Sequence, residues 1–207
     1  ANLAYGLLEL HAAGRRPDRL AWAVDLAEET LRRFAAPGGG LYQVAEGEAA
    51  ELFARVIEDH DGVEPAPSSV MAEVCLRLYE LTGRDGFRRF ADETLERFGP
   101  RLSTRPLAMP FLLTAFDRVL GKPGTLLIAG SDLPGGVELR AAARLKLRPD
   151  LVVAGYRRAD KGAFARVVPV AREIPDAPRA RAYLCVDRTC GLPIEDPAEL
   201  SRRLDGK

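Results

Sequence analysis

An eight-residue pattern occurs twice in this chain, 64 positions apart. Ala27-Glu28-Glu29-Thr30-Leu31-Arg32-Arg33-Phe34 returns as Ala91-Asp92-Glu93-Thr94-Leu95-Glu96-Arg97-Phe98. Each copy follows an apolar helical run that a glycine stops, Gly14 in the first case and Gly83 in the second. A helix, a glycine stop and a second amphipathic helix make a helical hairpin, and the chain makes it twice. A hairpin cannot bury its apolar face alone, so repeated hairpins stack into solenoids or close into toroids.

The flanking periodicity agrees. Leu3, Tyr5, Leu7, Leu8 and Leu10 give the first helix, which places His11 at its end as a surface or capping residue. Pro17-Asp18 restarts the chain, and Leu20, Trp22, Val24, Leu26, Ala27, Leu31 and Phe34 give the second. Val70, Val74, Cys75, Leu78 and Leu81 form a third stripe, with Ser68 or Ser69 as its N-cap. Phe87, Phe90, Ala91, Leu95 and Phe98 form a fourth, expected to end at Gly99-Pro100, and Pro106 opens another running to about Leu120. Residues 37–67 interrupt this pattern, from Pro37-Gly38-Gly39-Gly40 through an acidic stretch and a brief apolar one, Phe53 to Ile57. Connections longer than about 12–15 residues are uncommon in compact domains and often functional.

The texture changes at Gly121. Thr125 to Ala129, Leu151 to Ala154 and Ala182 to Val186 read as strands, with Val167 to Val170 a weaker candidate because of Pro169. Val137 to Leu147 reads as a helix, and Asp196 caps a last helix with Pro197 at its first position. The expectation is a mainly α chain: helical hairpins over 1–120, then a small α/β subdomain over 121–207 with some parallel pairing.

Thirty basic and thirty acidic residues cancel, which removes a strongly basic nucleic-acid binder from the default readings. The halves differ: residues 1–100 hold 11 Lys/Arg against 18 Asp/Glu, and the remainder reverses the excess. That asymmetry fits either an uneven surface or charge-steered docking. No apolar run approaches the roughly 18 residues that span a bilayer. Three cysteines do not make a secreted disulfide framework, so a reducing, cytoplasmic setting is expected. Cys75 lies on an apolar stripe and reads as core. Cys185 and Cys190 are neither a C-x-x-C pair nor half of a zinc site; two readings stay open, separate small residues or neighbours across a turn. The Gly130 to Gly136 turn between strand and helix is a weak phosphate-cradle signal, lacking both G-x-G-x-x-G and a P-loop lysine.

His60 sits between Asp59 and Asp61 in the long connection, with Glu58 and Glu64 nearby. One histidine among carboxylates before a helix start suits general acid/base work; the alternative is a solvated acidic loop.

Several segments carry a family resemblance. Gly38-Gly39-Gly40-Leu41-Tyr42 matches a G-G-G-[FY]-[FY] element, and Asp61-Gly62-Val63-Glu64-Pro65-Ala66-Pro67-Ser68-Ser69 matches a D-G-x-x-P-S-x-N-S run. The Leu126 to Gly130 strand and turn match as well. Ala182-Tyr183-Leu184-Cys185 through Cys190 and Pro193 matches an A-Y-x-C-x-x-x-x-C-x-x-P ending. In this order along nearly the whole chain, they resemble the C-terminal part of the YyaL/spermatogenesis-associated protein 20 family of thioredoxin-domain-containing proteins. The resemblance implies a partial α/α toroid, similar to that of N-acylglucosamine 2-epimerase and the six-hairpin glycosidases, without the family's thioredoxin domain. About three of the six hairpins of a toroid are countable here. Ala66, Pro67 and Ser68 stand where the family pattern has Ser, Gly and Asn.

The resemblance and the residue reading meet in the 37–69 connection, which lines the cavity in such toroids. Asp61, Glu64 and His60 are the candidate catalytic residues, Tyr42 and Ser68 the candidate ligand-binding ones, and Cys185 and Cys190 the candidate redox pair. The implied function is carbohydrate or small polar ligand binding, or epimerase-like chemistry. The alternatives are a non-catalytic module docking with the N-terminal portion of a longer protein or with a partner, and a redox accessory. No cofactor, metal, nucleic acid or membrane partner is implied.

Overall fold

A computed structural model describes residues 1–48, 54–121, 123–146 and 148–206. It divides into two compact units: residues 1–8, 22–79 and 84–120, and residues 9–21, 80–83 and 121–207. The chain is mainly helical with a small α/β part, as the periodicity predicts. Its helices are α1 (Asn2–Gly14), α2 (Pro17–Phe34), α3 (Pro67–Thr82), α4 (Asp85–Thr104), α5 (Pro110–Leu120), α6 (Gly136–Arg144), α7 (Lys161–Val167) and α8 (Pro197–Leu204). Among the described residues, no helix is long and apolar enough to cross a membrane.

In the first unit α3 is the innermost element: every residue from Ser68 to Leu76 is buried. Met71, Ala72, Val74, Cys75 and Leu78 have no exposed surface, and burying each of the larger side chains contributes about 1.5–3 kcal/mol. A buried ion pair joins this helix to α5. Glu73 meets Arg118 of α5, 2.7 Å from its Nη2 and each side chain only 7 % exposed, so neither charge is buried alone.

The repeat sits on α2 and α4, and its threonines behave alike. Thr30 Oγ1 donates to Leu26 O at 2.6 Å and Thr94 Oγ1 donates to Phe90 O at 2.7 Å. α4 does not stop at Gly99-Pro100 as expected but runs on to Thr104. Proline removes one helical donor. Phe98 and Leu102, buried on either side of it, hold the helix together, and Ser103 Oγ returns a bond to Pro100 O. A single 3-10 turn, Pro106–Ala108, precedes α5.

The second unit contains a four-stranded sheet of β1 (Gly124–Ala129), β2 (Leu151–Tyr156), β3 (Arg181–Val186) and β4 (Thr189–Cys190), in the order β2-β1-β3-β4. β1 pairs parallel with β2 and antiparallel with β3, and β3 with β4 makes a hairpin. All six β1 residues are buried. Leu126 and Ala182 share a core with Leu139 and Ala142 of α6 and Leu200 and Leu204 of α8. The register puts Leu127, Ala154 and Tyr183 on the opposite face. There Tyr156 packs on Phe164 of α7, with ring centroids 5.1 Å apart. Val167 to Val170 is no strand: it is the end of α7 and a 3-10 turn, since Pro169 supplies no ladder donor. Asp196 caps α8 as expected, its Oδ1 accepting from Ala198 N at 3.0 Å. His11 is not a surface residue. It is 1 % exposed, donates from Nδ1 to Arg16 O at 2.8 Å and stacks on Phe164.

Candidate functional site

The 37–69 connection is held by glycines, a hydroxyl and a carboxylate. Gly38, Gly39 and Gly40 all adopt positive φ, between 74° and 90°. Gly39 lies directly on α4: a Cβ there would come within 2.4 Å of the Glu93 and Thr94 backbone. The next amide, Gly40 N, donates to Thr94 Oγ1 at 3.0 Å. The second copy of the repeat therefore provides the seat for the triple glycine.

Ser68 is fully buried, and its Oγ accepts from Leu41 N at 2.9 Å. It does not cap α3. The helix begins at Pro67, Ala66 is the residue before it, and Ser68 lies inside the first turn. Pro67 favours this start because the first helical position needs no N–H and a φ near −65°.

Asp61 carries the most structural information. It is 8 % exposed, with Oδ1 accepting from Ala66 N and Oδ2 from Phe111 N, each at 2.8 Å. Ala66 N opens α3 and Phe111 N lies in the first turn of α5, where helices leave amides without internal partners. One carboxylate thus closes two helix starts at the positive ends of both helix dipoles. Its own amide donates to Ala108 O at 2.8 Å, fixing the turn before α5 as well.

The other candidates point elsewhere. His60 and Glu64 are exposed, and Asp59 pairs with Arg101 at 2.8 Å. Tyr42 is covered on one face by the Arg55 guanidinium, 3.9 Å from the ring centroid. Arg55 is held in turn by Val44 O, 2.7 Å from its Nη2. The structure therefore brings Asp61 and Ser68 inward as backbone acceptors, leaves His60 and Glu64 in solvent, and layers Tyr42 under an arginine. Phe53 lies outside the described residues.

Cys185 and Cys190 face each other across the β3–β4 hairpin and form a disulfide. Of the two readings the sequence leaves open, neighbours across a turn is the one the structure adopts. Asp187 and Arg188, with φ of 48° and 61°, make the two-residue turn that brings them together. Cys75 is fully buried, and burial pushes its thiol pKa well above the ordinary value.

Sequence reasoning missed Arg15. Just past the end of α1, its φ of 55° turns it inward, leaving it 3 % exposed, and neither Nε nor Nη1 has a hydrogen-bond partner among the described residues. No local pattern marks it, because an arginine after a helix-ending glycine ordinarily faces water.

No family model matches the chain. It is similar to spermatogenesis-associated protein 20 of Mus musculus, 28 % identical over 209 residues, and of Homo sapiens, 29 % identical over 213 residues. Both alignments cover 99 % of this chain and 26 % of the relative. An uncharacterized Caenorhabditis elegans protein is 25 % identical over 201 residues, covering 97 % of the chain and 27 % of that protein. The chain thus spans about a quarter of the length of the curated relatives it matches. The resemblance to the spermatogenesis-associated protein 20 family is thereby shown along almost the whole chain, for a part of that family's length.

Proposed function

We propose that this chain is a non-catalytic interaction module of a polypeptide as long as its relatives, not a sugar-binding or sugar-isomerising site. The observation that carries this reading is the commitment of Asp61. Acid/base chemistry at a sugar carbon needs a carboxylate that faces substrate. Both Asp61 oxygens are instead held by backbone amides, and Ser68 Oγ by a third. His60 and Glu64 remain as exposed groups. The docking face this reading favours is that of α5 and the turn before it, where Leu107, Leu113 and Leu120 are exposed by 84 %, 37 % and 82 %. The proposed partner is the remaining three-quarters of a relative-length polypeptide.

A redox-accessory reading has one observation in its favour. The Cys185–Cys190 disulfide lies in the four-stranded sheet of order β2-β1-β3-β4, across the β3–β4 hairpin. The chain holds no C-x-x-C pair, the spacing usual for thiol exchange. This supports binding over thiol exchange.

The test is thermal melting of the parent chain with a panel of hexoses and N-acetylhexosamines, beside pull-down of the remaining portion of the human relative supplied in trans. The reading expects no sugar-dependent shift. It also expects capture that Leu113→Glu with Leu120→Glu abolishes while the melting temperature is kept. A saturable sugar-induced rise that Glu64→Ala removes would overturn it in favour of the carbohydrate site.

A further inference from the structure

We infer that the second unit binds a phosphate group, with the buried Arg15 guanidinium as its anchor and Arg140 and Arg144 of α6 as its flanking cations. This inference is independent of the reading of the first unit.

The argument starts from an unpaired charge. Arg15 is 3 % exposed, yet Nε and Nη1 are buried without an acceptor among the described residues. A buried charge ordinarily survives only when it is paired and hydrogen-bonded. Here the charged groups that act on it are of its own sign. Burial first, then Arg140 and Arg144, pull its pKa down to about 10, so it remains a cation at neutral pH. Such a constellation is complete only with an anion.

The surrounding backbone makes room for the Arg15 stem and brings it to the ligand-binding end of the sheet. The Arg15 stem crosses β2 at Gly155, where a Cβ would come 3.1 Å from Cδ and 3.2 Å from Nε. Gly155 pairs with Ile128 of β1, one residue before the carboxyl ends of the two parallel strands. In α/β sheets that end is where ligands collect. Arg140 is half-buried, and its Nη1 donates to Ser131 O in the loop joining β1 to α6, which ties the flanking cation to that loop. Arg144 is exposed and enters no ion pair among the described residues. Its charge acts on Arg15 from the exposed end of α6.

The chemistry selects an oxyanion. Nε and Nη of one guanidinium present parallel donors that match two oxygens of a phosphate, and three cations suit a dianion better than a carboxylate. No covalent step is involved.

The experiment uses the whole chain at constant ionic strength, titrated with inorganic phosphate and separately with glycerol phosphate. Binding is read by phosphorus NMR line width and by melting temperature, with chloride as control. We expect a saturable rise in melting temperature that chloride does not reproduce. Tighter binding of glycerol phosphate identifies an organic phosphate as ligand, and equal or weaker binding identifies free phosphate. Arg15→Met keeps the length of the stem and removes an uncompensated buried cation, so it is expected to fold and melt no lower than the parent. It is expected to weaken phosphate binding at least about tenfold. Should Arg15→Met not fold, Arg144→Gln is read instead, with a several-fold weaker affinity and an unchanged melting temperature expected. Absence of saturable broadening in the parent, or equal binding by parent and variant, overturns the inference.

Discussion

Replacing Asp61 by alanine is the most direct test of how the first unit is held. The side chain makes two charge-assisted bonds of 2.8 Å, to Ala66 N and Phe111 N, and each closes a different helix start. Loss of a helix-capping acceptor typically costs about 1 kcal/mol, within a range of roughly 0.5–2 kcal/mol. Ala66 is 1 % exposed, so its amide would stay dry and unpaired, at the upper part of that range. Phe111 is half-buried, and water can replace part of its bond. The two contributions together predict a loss of about 2–3 kcal/mol for Asp61→Ala. Asp61→Asn keeps one carbonyl oxygen but turns an N–H₂ group toward the other amide, and is predicted to lose about 1–2 kcal/mol. The assay is urea unfolding at pH 7 followed by circular dichroism at the helical band, with the exposed Glu64→Ala as control, expected within about 0.5 kcal/mol of the parent. An Asp61→Ala chain as stable as the control would refute the double-cap account and restore Asp61 as a group placed for a ligand.

Three further outcomes are expected. Gly39→Ala should lose more than about 2 kcal/mol, since the new Cβ meets the Glu93 and Thr94 backbone and φ is 90°; an unfolding midpoint equal to the parent's would contradict that seat. His11 has its pKa lowered to about 4, by burial first, the Arg16 carbonyl opposing and Arg15 and Arg19 adding to the effect. Its neutral ring therefore contributes stability that is full above the unfolded value of 6.5 and is lost as pH falls through 4; between pH 7 and pH 5 the loss is about 2 kcal/mol, and His11→Phe should flatten that limb of the stability–pH curve. Reducing the Cys185–Cys190 disulfide should lower stability by at most about 2 kcal/mol, because it closes a short loop, while a thiol reagent should label Cys75 only after unfolding.

The helices were legible because their signals are local. The apolar spacing of α1 to α4, the repeat shared by α2 and α4, and the Asp196-Pro197 start of α8 act within a few residues of themselves, and the structure places helices there. Pro100 misled because a local rule against proline yields when Phe98 and Leu102 are buried on both sides of it. The site divided along the same line. The 37–69 connection was recognisable as special from its glycines and carboxylates, but which side chains turn inward depends on partners far along the chain. Asp61 is matched to Phe111 fifty residues later, Ser68 to Leu41 and Gly40 to Thr94. Sequence also named Cys185 and Cys190 without deciding between separation and pairing; the two-residue turn at Asp187-Arg188 decided it. Arg15 was decided by tertiary structure alone. Composition counts it as one of thirty cations, and only the close approach of its stem to Gly155 shows that it is buried and without a counter-charge. Periodicity reports which face of an element is apolar, whereas hydrogen-bond and charge complementarity belong to pairs of residues that the chain brings together only when it folds.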